Sequence, residues 1–168
     1  MFEYIITKLA NLCERNGSFI NITGTSPDDV YLIRYYVIPR NSLFNIYIHL
    51  FMRSDADDFH DHPWNFYTWI VRGSYKEEQP VLSKNNKPLK GKIKVTERCV
   101  WRNRFAYRKA TDLHRVTLVR RYTLNQKDIA PMTLCITGPT IREWGFIKKG
   151  KWVNWKTYLK VPKNSEDR

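Results

Sequence analysis

FHDHPWNFYTWIVRG, residues 59–73, carries the strongest indication of the fold of this chain. It places His60 and His62 two positions apart, and in an extended strand the side chains at i and i+2 point to the same face. We therefore expect both imidazoles to face one ion, while Asp61 between them points away. A third histidine, His114, follows 52 residues after His62. Three imidazoles from neighbouring strands would form a facial metal site with open positions for water or substrate.

The hydrophobic periodicity around this stretch changes from helical to alternating. Apolar residues between positions 2 and 15 recur at spacings of three and four, which predicts one amphipathic helix. From about residue 30 onward, alternating segments separated by turn residues predict roughly eight to ten short strands, the last at 132–137, 141–146 and 152–159. This order indicates one all-β domain over residues 1–168, with an antiparallel barrel at about 30–160 and a polar tail at 162–168.

The charge balance favours anionic partners. The 168 residues include 29 Lys and Arg against 16 Asp and Glu, so the formal net charge is +13. A charge of this size attracts small anions or nucleic acids, although it also suits a plain solvated surface. In residues 101–109, WRNRFAYRK, cations alternate with aromatic side chains, a pattern typical of nucleic-acid binding.

Cysteine spacing and hydropathy indicate a cytoplasmic protein. Cys13, Cys99 and Cys135 lie far apart and form no CxxC pair, which favours reduced thiols. The first residues lack the long apolar segment of a signal peptide, and no apolar run approaches the roughly 18 residues of a membrane span. We therefore expect a soluble protein with no membrane partner.

The histidine stretch resembles the first motif of the cupins, which runs His-x-His, three or four residues, Glu, six residues, Gly. The intervals from His60 to Gly73 fit this motif, but Phe66 stands at the glutamate position. His114 resembles the histidine of the second cupin motif. Its usual Pro-x-Gly lead-in is replaced by residues 109–111, KAT, and its final Asn by Leu118.

A closer resemblance is to small cupin-like proteins often carried by bacteriophages. It rests on the stretches HDHPW at 60–64, ATDLHR at 110–115, TGPTIREWGF at 137–146 and WVNW at 152–155, and it covers roughly residues 30–158. The resemblance implies a jelly-roll barrel, the double-stranded β-helix of the cupins, with any metal inside it. A phage-encoded protein would act in the host cytoplasm.

The missing glutamate has a chemical consequence. Three neutral imidazoles, His60, His62 and His114, would hold a divalent Fe, Zn, Ni or Mn ion without a protein charge to neutralise it. The ion would then keep its full charge toward an anionic or thiolate ligand, as in the thiol dioxygenases of the cupin class. Zinc in the same site would instead activate a water.

Candidate ligand contacts lie near the three histidines in sequence or within the landmark stretches. Arg53, Arg115 and Arg142 would clamp a carboxylate or phosphate through paired N–H donors. Glu143 would orient a ligand histidine or act as a catalytic acid or base. Two tryptophans would line a pocket and stack on a planar ring: Trp64 and Trp144.

Three functions remain open from the sequence. The first is a metal-binding cupin that acts on a small anionic ligand, as a metal-dependent dioxygenase or, second, as an isomerase. The second is a non-catalytic cupin that sequesters or senses a small anionic metabolite or nucleotide. The third is a nucleic-acid-binding protein. A homodimer is compatible with each of them.

Overall fold

The computed structural model describes residues 1–23, 28–55, 58–84, 88–118 and 130–160, so the predicted polar tail at 162–168 lies outside it. The described chain forms α1 (Phe2–Arg15), β1 (Phe19–Thr23), β2 (Val30–Tyr36), β3 (Asn45–Phe51), β4 (Phe66–Arg72), β5 (Ser74–Leu82), β6 (Pro88–Cys99), β7 (Phe105–Arg108), β8 (Arg115–Leu118), β9 (Met132–Thr137), β10 (Gly145–Lys148), β11 (Lys151–Asn154) and α2 (Trp155–Tyr158).

Two antiparallel sheets build the body of the protein. The larger has the strand order β1-β2-β3-β9-β4-β7, the smaller has the order β6-β5-β8, and β10 with β11 forms a separate ribbon. Side chains of both main sheets share one buried cluster, in which Phe51 and Ile70 of the larger sheet meet Tyr75 and Val116 of the smaller. The predicted all-β class with an N-terminal helix is confirmed.

Helix α1 packs on the outer face of the larger sheet. Its apolar stripe places Ile6 and Ala10 in a cluster with Ile48 of β3 and Val71 of β4. Because burying an apolar side chain contributes about 1.5–3 kcal/mol, this contact anchors the helix. No helix of the described residues has the length and hydropathy needed to cross a membrane.

Alternation along β3 separates the two faces of the larger sheet. Ile48 contacts the helix side, whereas Phe51 joins the cluster shared with the smaller sheet. The face toward the smaller sheet is called the inner face below. Strand register places Arg34, His49 and Thr133 side by side across β2, β3 and β9, and the spacing from His49 to Phe51 places this row on the inner face.

Several predicted boundaries are wrong. Strand β1 was not predicted. The strand expected at 152–159 ends at Asn154, whose side chain caps α2 by accepting the backbone N–H of Lys156. The strand expected at 141–146 begins only at Gly145. The histidine stretch itself lies before β4, because Pro63 has no N–H to offer a sheet ladder.

Candidate metal centre

Backbone pairing brings the three histidines together. His60 and His114 exchange two backbone hydrogen bonds of 3.0 Å, and the N–H of His62 donates to the carbonyl of Ala110 at 3.0 Å. The segment before β4 therefore runs antiparallel to residues 110–114. The ring centroids of His60, His62 and His114 lie 4.9–5.1 Å from one another. The three rings converge as expected, although the segment that carries His60 and His62 is not a strand: His60 pairs with His114 in an isolated β-bridge.

The ligand atoms have the spacing of a site that one ion could draw together. One nitrogen of each ring lies within 4.8 Å of the others, and Nε2 of His62 is 2.8 Å from Nε2 of His114. Two nitrogens bonded to one ion at about 2.1 Å are roughly 3.0 Å apart at a right angle and at most about 4.2 Å apart. The His62–His114 pair already has the right-angle distance, and a small inward movement of His60 would complete the set.

A buried glutamate that the sequence analysis missed orients His114. Oε1 of Glu77 lies 2.8 Å from Nδ1 of His114, and the Glu77 side chain also pairs with Arg98 and Arg108. Nδ1 of a neutral His114 must then donate, so the lone pair of Nε2 is directed toward the other rings. The alternation of β5 predicts that Tyr75 and Glu77 share a face, but two adjacent glutamates gave no sign of which one is buried.

The electrostatics of this network keep Glu77 ionised. Burial raises the pKa of Glu77, but its hydrogen bond to His114 and the charge of Arg108 outweigh burial, so the pKa lies well below its usual range. The Glu77 side chain is only 1% exposed. Arg98 and Arg108 share the carboxylate of Glu77. A second, mostly buried acid, Asp55, lies on the His60 side of the cluster, with its Oδ2 3.9 Å from Nδ1 of His60.

His60 and His62 are held neutral. Burial, reinforced by the proximity of His114, lowers the pKa of both imidazoles well below the usual value. Neutral imidazole is the form that binds a metal. The ring of Phe66 packs 4.5 Å from that of His62, at the position where the cupin motif has glutamate. Within the described residues the three-histidine cluster includes no carboxylate.

Asp61 points away from the cluster and fastens the β10–β11 ribbon. Its carboxylate accepts the backbone N–H of Gly145 at 2.7 Å, the indole N–H of Trp152 at 3.0 Å and a guanidinium N–H of Arg142 at 2.5 Å. Arg142 is therefore engaged with a buried acid rather than directed at the histidines.

The remaining predicted contacts divide into two groups. Trp64 and Trp144 lie beside the cluster, each with its ring 6.5 Å from that of His62. Arg53 pairs with Asp29 at 2.5 Å, and Arg115 pairs with Glu78 at 2.7 Å. Glu143 is exposed and accepts from Asn154. The structure does not bring Arg53, Arg115 or Glu143 to the histidines, and their assigned roles stay predictions.

A second feature missed from the sequence is a polar row on the inner face. Nε of Arg34 donates to Nε2 of His49 at 3.0 Å, and the guanidinium carbon lies 4.8 Å from the ring centroid of Tyr47. No carboxylate pairs with Arg34 in the described part of the chain. Thr133, the cross-strand neighbour of His49, is 1% exposed, and its hydroxyl has no described partner. The available signal was an arginine between Leu32 and Tyr36 on one face of β2.

Comparison with known proteins gives a likeness of fold only. No family model matches the chain, and no curated protein matches it. Among solved structures, an RmlC-like cupin from Ralstonia eutropha is 14% identical, with 84% of this chain and 76% of that chain covered and a TM-score of 0.49. Iron(II) HppE is 9% identical over 72% and 57%, with a TM-score of 0.47.

A third similar structure is the DMSP lyase DddQ from Ruegeria pomeroyi, which is 12% identical over 73% and 53% of the two chains, with a TM-score of 0.44. Similar structures thus include cupin proteins. At these identities and TM-scores they support no inference about ligand or activity, which must come from the site itself.

Proposed function

We propose that this protein binds a divalent transition metal through His60, His62 and His114 and takes a small organic anion into the barrel beside it. The observation that carries the proposal is the pair of Nε2 atoms of His62 and His114 at 2.8 Å. Two neutral imidazole nitrogens at this distance must share one proton in a hydrogen bond. A metal cation in place of that proton would accept the lone pairs of both nitrogens.

The surroundings of the histidines support a metal more than a packing role. Glu77 fixes the tautomer of His114, and burial keeps His60 and His62 unprotonated. A buried acid behind a ligand imidazole raises its basicity and holds its orientation. Three protein ligands leave coordination positions open, through which a bound metal polarises a ligand or activates water or dioxygen.

Arg34 is the group that we assign to the anion, in place of the arginines predicted from sequence. Its Nη donors have no protein acceptor among the described residues, and its charge contributes to the lowered pKa of His62. A guanidinium fork binds a carboxylate through two parallel hydrogen bonds. The single charge of Arg34 matches a monoanion, and the unsatisfied hydroxyl of Thr133 offers a further donor on the same row.

Side chains of this protein would bind and orient such a ligand. Arg34 would hold the anionic end of the ligand; the ring of Tyr47 lies 4.8 Å from the guanidinium carbon of Arg34, and the ring of Trp64 lies 6.5 Å from that of His62. We propose that the reaction, if a substrate is turned over, is an oxygenation, with isomerisation as the second candidate. Oxygen consumption by the iron(II)-loaded protein in the presence of small carboxylates or thiols would indicate oxygenation. Ligand binding without oxygen consumption would favour sequestration.

Metal binding is tested with protein purified without a histidine tag. We expect about one transition-metal ion per chain by elemental analysis, and a cobalt(II) spectrum that titrates to the same end point. His62→Ala should weaken cobalt binding at least about a hundredfold, because it removes one of three ligands. His49→Ala is the matched control and should retain the metal. Equal cobalt binding by both variants, or none by the unaltered protein, contradicts the proposed centre.

Anion binding is tested separately by fluorine NMR with trifluoroacetate, and trifluoroethanol serves as the uncharged analogue. Arg34→Gln should weaken trifluoroacetate binding about tenfold or more, since a hydrogen bond to a charged group contributes about 1.5–3 kcal/mol. Arg15→Gln, which removes the same charge from an exposed position in the last turn of α1, should not. Unchanged binding in Arg34→Gln would move the anion site elsewhere and leave the metal centre intact.

A further inference from the structure

The outer face of the larger sheet is aromatic where α1 does not cover it. Tyr67 of β4 is 61% exposed, and Phe105 and Tyr107 of β7 are 66% and 44% exposed. The rings of Tyr67 and Tyr107 lie 4.8 Å apart, and those of Trp69 and Phe105 lie 4.7 Å apart. The aromatic platform below consists of Tyr67, Phe105 and Tyr107, with Trp69 at its border with α1, where Phe2 stacks on the Trp69 ring at 3.9 Å.

An open groove of about 250 Å³ runs along this platform. Its lining is apolar side chains and strand backbone, from Tyr67, Thr68, Trp69, Phe105, Ala106, Leu134 and Ile136. A contiguous exposed apolar surface of this kind, rimmed by polar groups, marks an interaction site more often than an accident of packing. It lies on the opposite side of the sheet from the three histidines.

Cations flank the platform without acidic partners. Arg102 and Lys109 lie on either side of β7 and are exposed, and the guanidinium carbon of Arg104 lies 4.8 Å from the ring centroid of Trp69. In the described ranges no carboxylate forms an ion pair with any of the three. The nearest acid in sequence, Asp112, accepts the backbone N–H of Lys109 at 2.9 Å.

We propose that the aromatic platform binds single-stranded nucleic acid, with bases stacked on Tyr67, Phe105 and Tyr107 and phosphates held by Arg102 and Lys109. Every base has a π face, so exposed rings on a sheet suit unpaired bases of any sequence. The alternation of β7 supports this arrangement, because it turns Phe105 and Tyr107 outward while Arg108 points inward to Glu77. The net charge of +13 adds a long-range attraction to phosphate.

Charge complementarity favours this occupant over a second copy of the chain. A symmetric contact through the platform would bring Arg102, Arg104 and Lys109 of both copies close together, and like charges at an interface suppress association. A nucleic acid brings phosphates to the same cations. The apolar faces of its bases would also cover the exposed rings of the platform, which a partner bound through charge alone would leave exposed to water.

The first test measures fluorescence anisotropy of a labelled twelve-residue oligothymidylate with the full chain. We expect tighter binding than to a duplex of equal length, with affinity falling as salt rises. Phe105→Ala combined with Tyr107→Ala should weaken binding about tenfold or more, because base stacking on these rings is lost. The matched control, Leu43→Ala with Ile141→Ala, removes side chains that are 72% and 58% exposed elsewhere and should bind normally.

A second pair of variants distinguishes binding at the platform from nonspecific attraction by the positive net charge. Arg102→Gln with Lys109→Gln should weaken binding several-fold more than Lys149→Gln with Lys151→Gln, which removes two exposed lysines at the β10–β11 turn. Equal losses in the two double variants would mean that the net charge alone binds the oligonucleotide, and would overturn the proposal.

Crosslinking gives an answer that does not depend on how a variant folds. Oligonucleotides carrying 5-iodouracil should crosslink, on irradiation of the unaltered protein, to peptides containing Tyr67, Phe105 or Tyr107. Crosslinks confined to other peptides would overturn the proposal. So would preferential binding to anionic lipid vesicles, or a stable dimer that the Phe105→Ala, Tyr107→Ala variant dissociates. His62→Ala should bind the oligonucleotide unchanged, so the outcome is independent of the metal centre.

Discussion

The inner and outer faces of the larger sheet use the same strands in opposite ways. On the inner side, the buried glutamate between the two sheets pairs with two arginines and a histidine, and Arg34 alone among the inward arginines we describe lacks a carboxylate. On the outer side, α1 covers one part, and the other part exposes rings beside cations that form no ion pair with a carboxylate in the described ranges.

The difference shows what period-two alternation permits. Neighbouring residues of one strand serve unrelated purposes, as when Tyr107 faces solvent and Arg108 reaches Glu77. Inside, removal from water forces charges to pair, because an unpaired buried charge is costly. Outside, water solvates each cation, so charges can stay unpaired and available to a partner.

Among substitutions that test the contrast between the two faces, we expect the largest loss of stability from Glu77→Gln. It leaves Arg98 and Arg108 without their shared buried counter-charge, and breaking a buried pair in this way costs about 3–5 kcal/mol. We expect that loss in the free energy of unfolding by urea denaturation, with a fall in cobalt affinity of about 10- to 100-fold from the lost support of His114.

The neighbouring Glu78→Gln is the matched control for this experiment. Glu78 pairs with Arg115 through side chains that are 15% and 23% exposed, on the solvent side of β5. We expect a loss of about 1 kcal/mol or less and no change in cobalt affinity. Equal losses in the free energy of unfolding for Glu77→Gln and Glu78→Gln would mean that the greater burial of Glu77 does not increase its contribution to stability.

The pH dependence of stability provides a second test of the buried Glu77 network. The folded-state pKa of Glu77 is lowered, so its contribution to stability is present above the usual glutamate value of about 4.3 and is lost as the pH falls toward the folded pKa. We expect the unaltered protein to lose stability more steeply below about pH 4 than Glu77→Gln does. Parallel curves from pH 7 to pH 3 would show that Glu77 is not ionised preferentially in the folded protein.

A smaller effect separates the two halves of the outer face. Ile48 is 0% exposed beneath α1, whereas Ile136 is 43% exposed in the apolar groove. Ile48→Ala should cost about 2–5 kcal/mol in the free energy of unfolding, because it leaves a cavity. Ile136→Ala should stay within about 0.5 kcal/mol. A large loss for Ile136→Ala would indicate that the groove is packed by another part of the chain.

The smallest effect concerns thiol chemistry and leaves the fold unchanged. Burial raises the pKa of Cys135, on the inner face, to about 12, whereas Cys99 is partly exposed. Against an ordinary thiol pKa of about 8.5, this reduces the thiolate fraction of Cys135 by a factor of roughly 10³–10⁴. Iodoacetamide at pH 8 should label Cys99 first by peptide mass spectrometry. Labelling of Cys135 in the folded protein at the rate of Cys99 would show that the inner face is open there.

Much of the fold followed from short-range patterns. The stripe of α1 and the alternation of β3 and β4 each reflect a period set by backbone geometry alone. The predictions failed where local signals conflict, as at Asn154, where a capping side chain ends a strand and begins α2. A cap competes with a sheet ladder for the same backbone groups, and pattern counting cannot weigh the two.

For the site, the sequence indicated three candidate metal ligands, because histidine is scarce and the spacing of His60 and His62 puts them on one side of the chain. It also determined that Asp61 points away. The surroundings of the histidines follow from the tertiary structure: Glu77 from β5 supports His114, Arg142 pairs with Asp61, and Arg34 is the inward arginine that pairs with no acid among the described residues. Glu77 and His114 are 37 residues apart in the chain, and Asp61 and Arg142 are 81 residues apart. Contacts between such distant residues depend on sheet register and burial, which short-range sequence patterns do not encode.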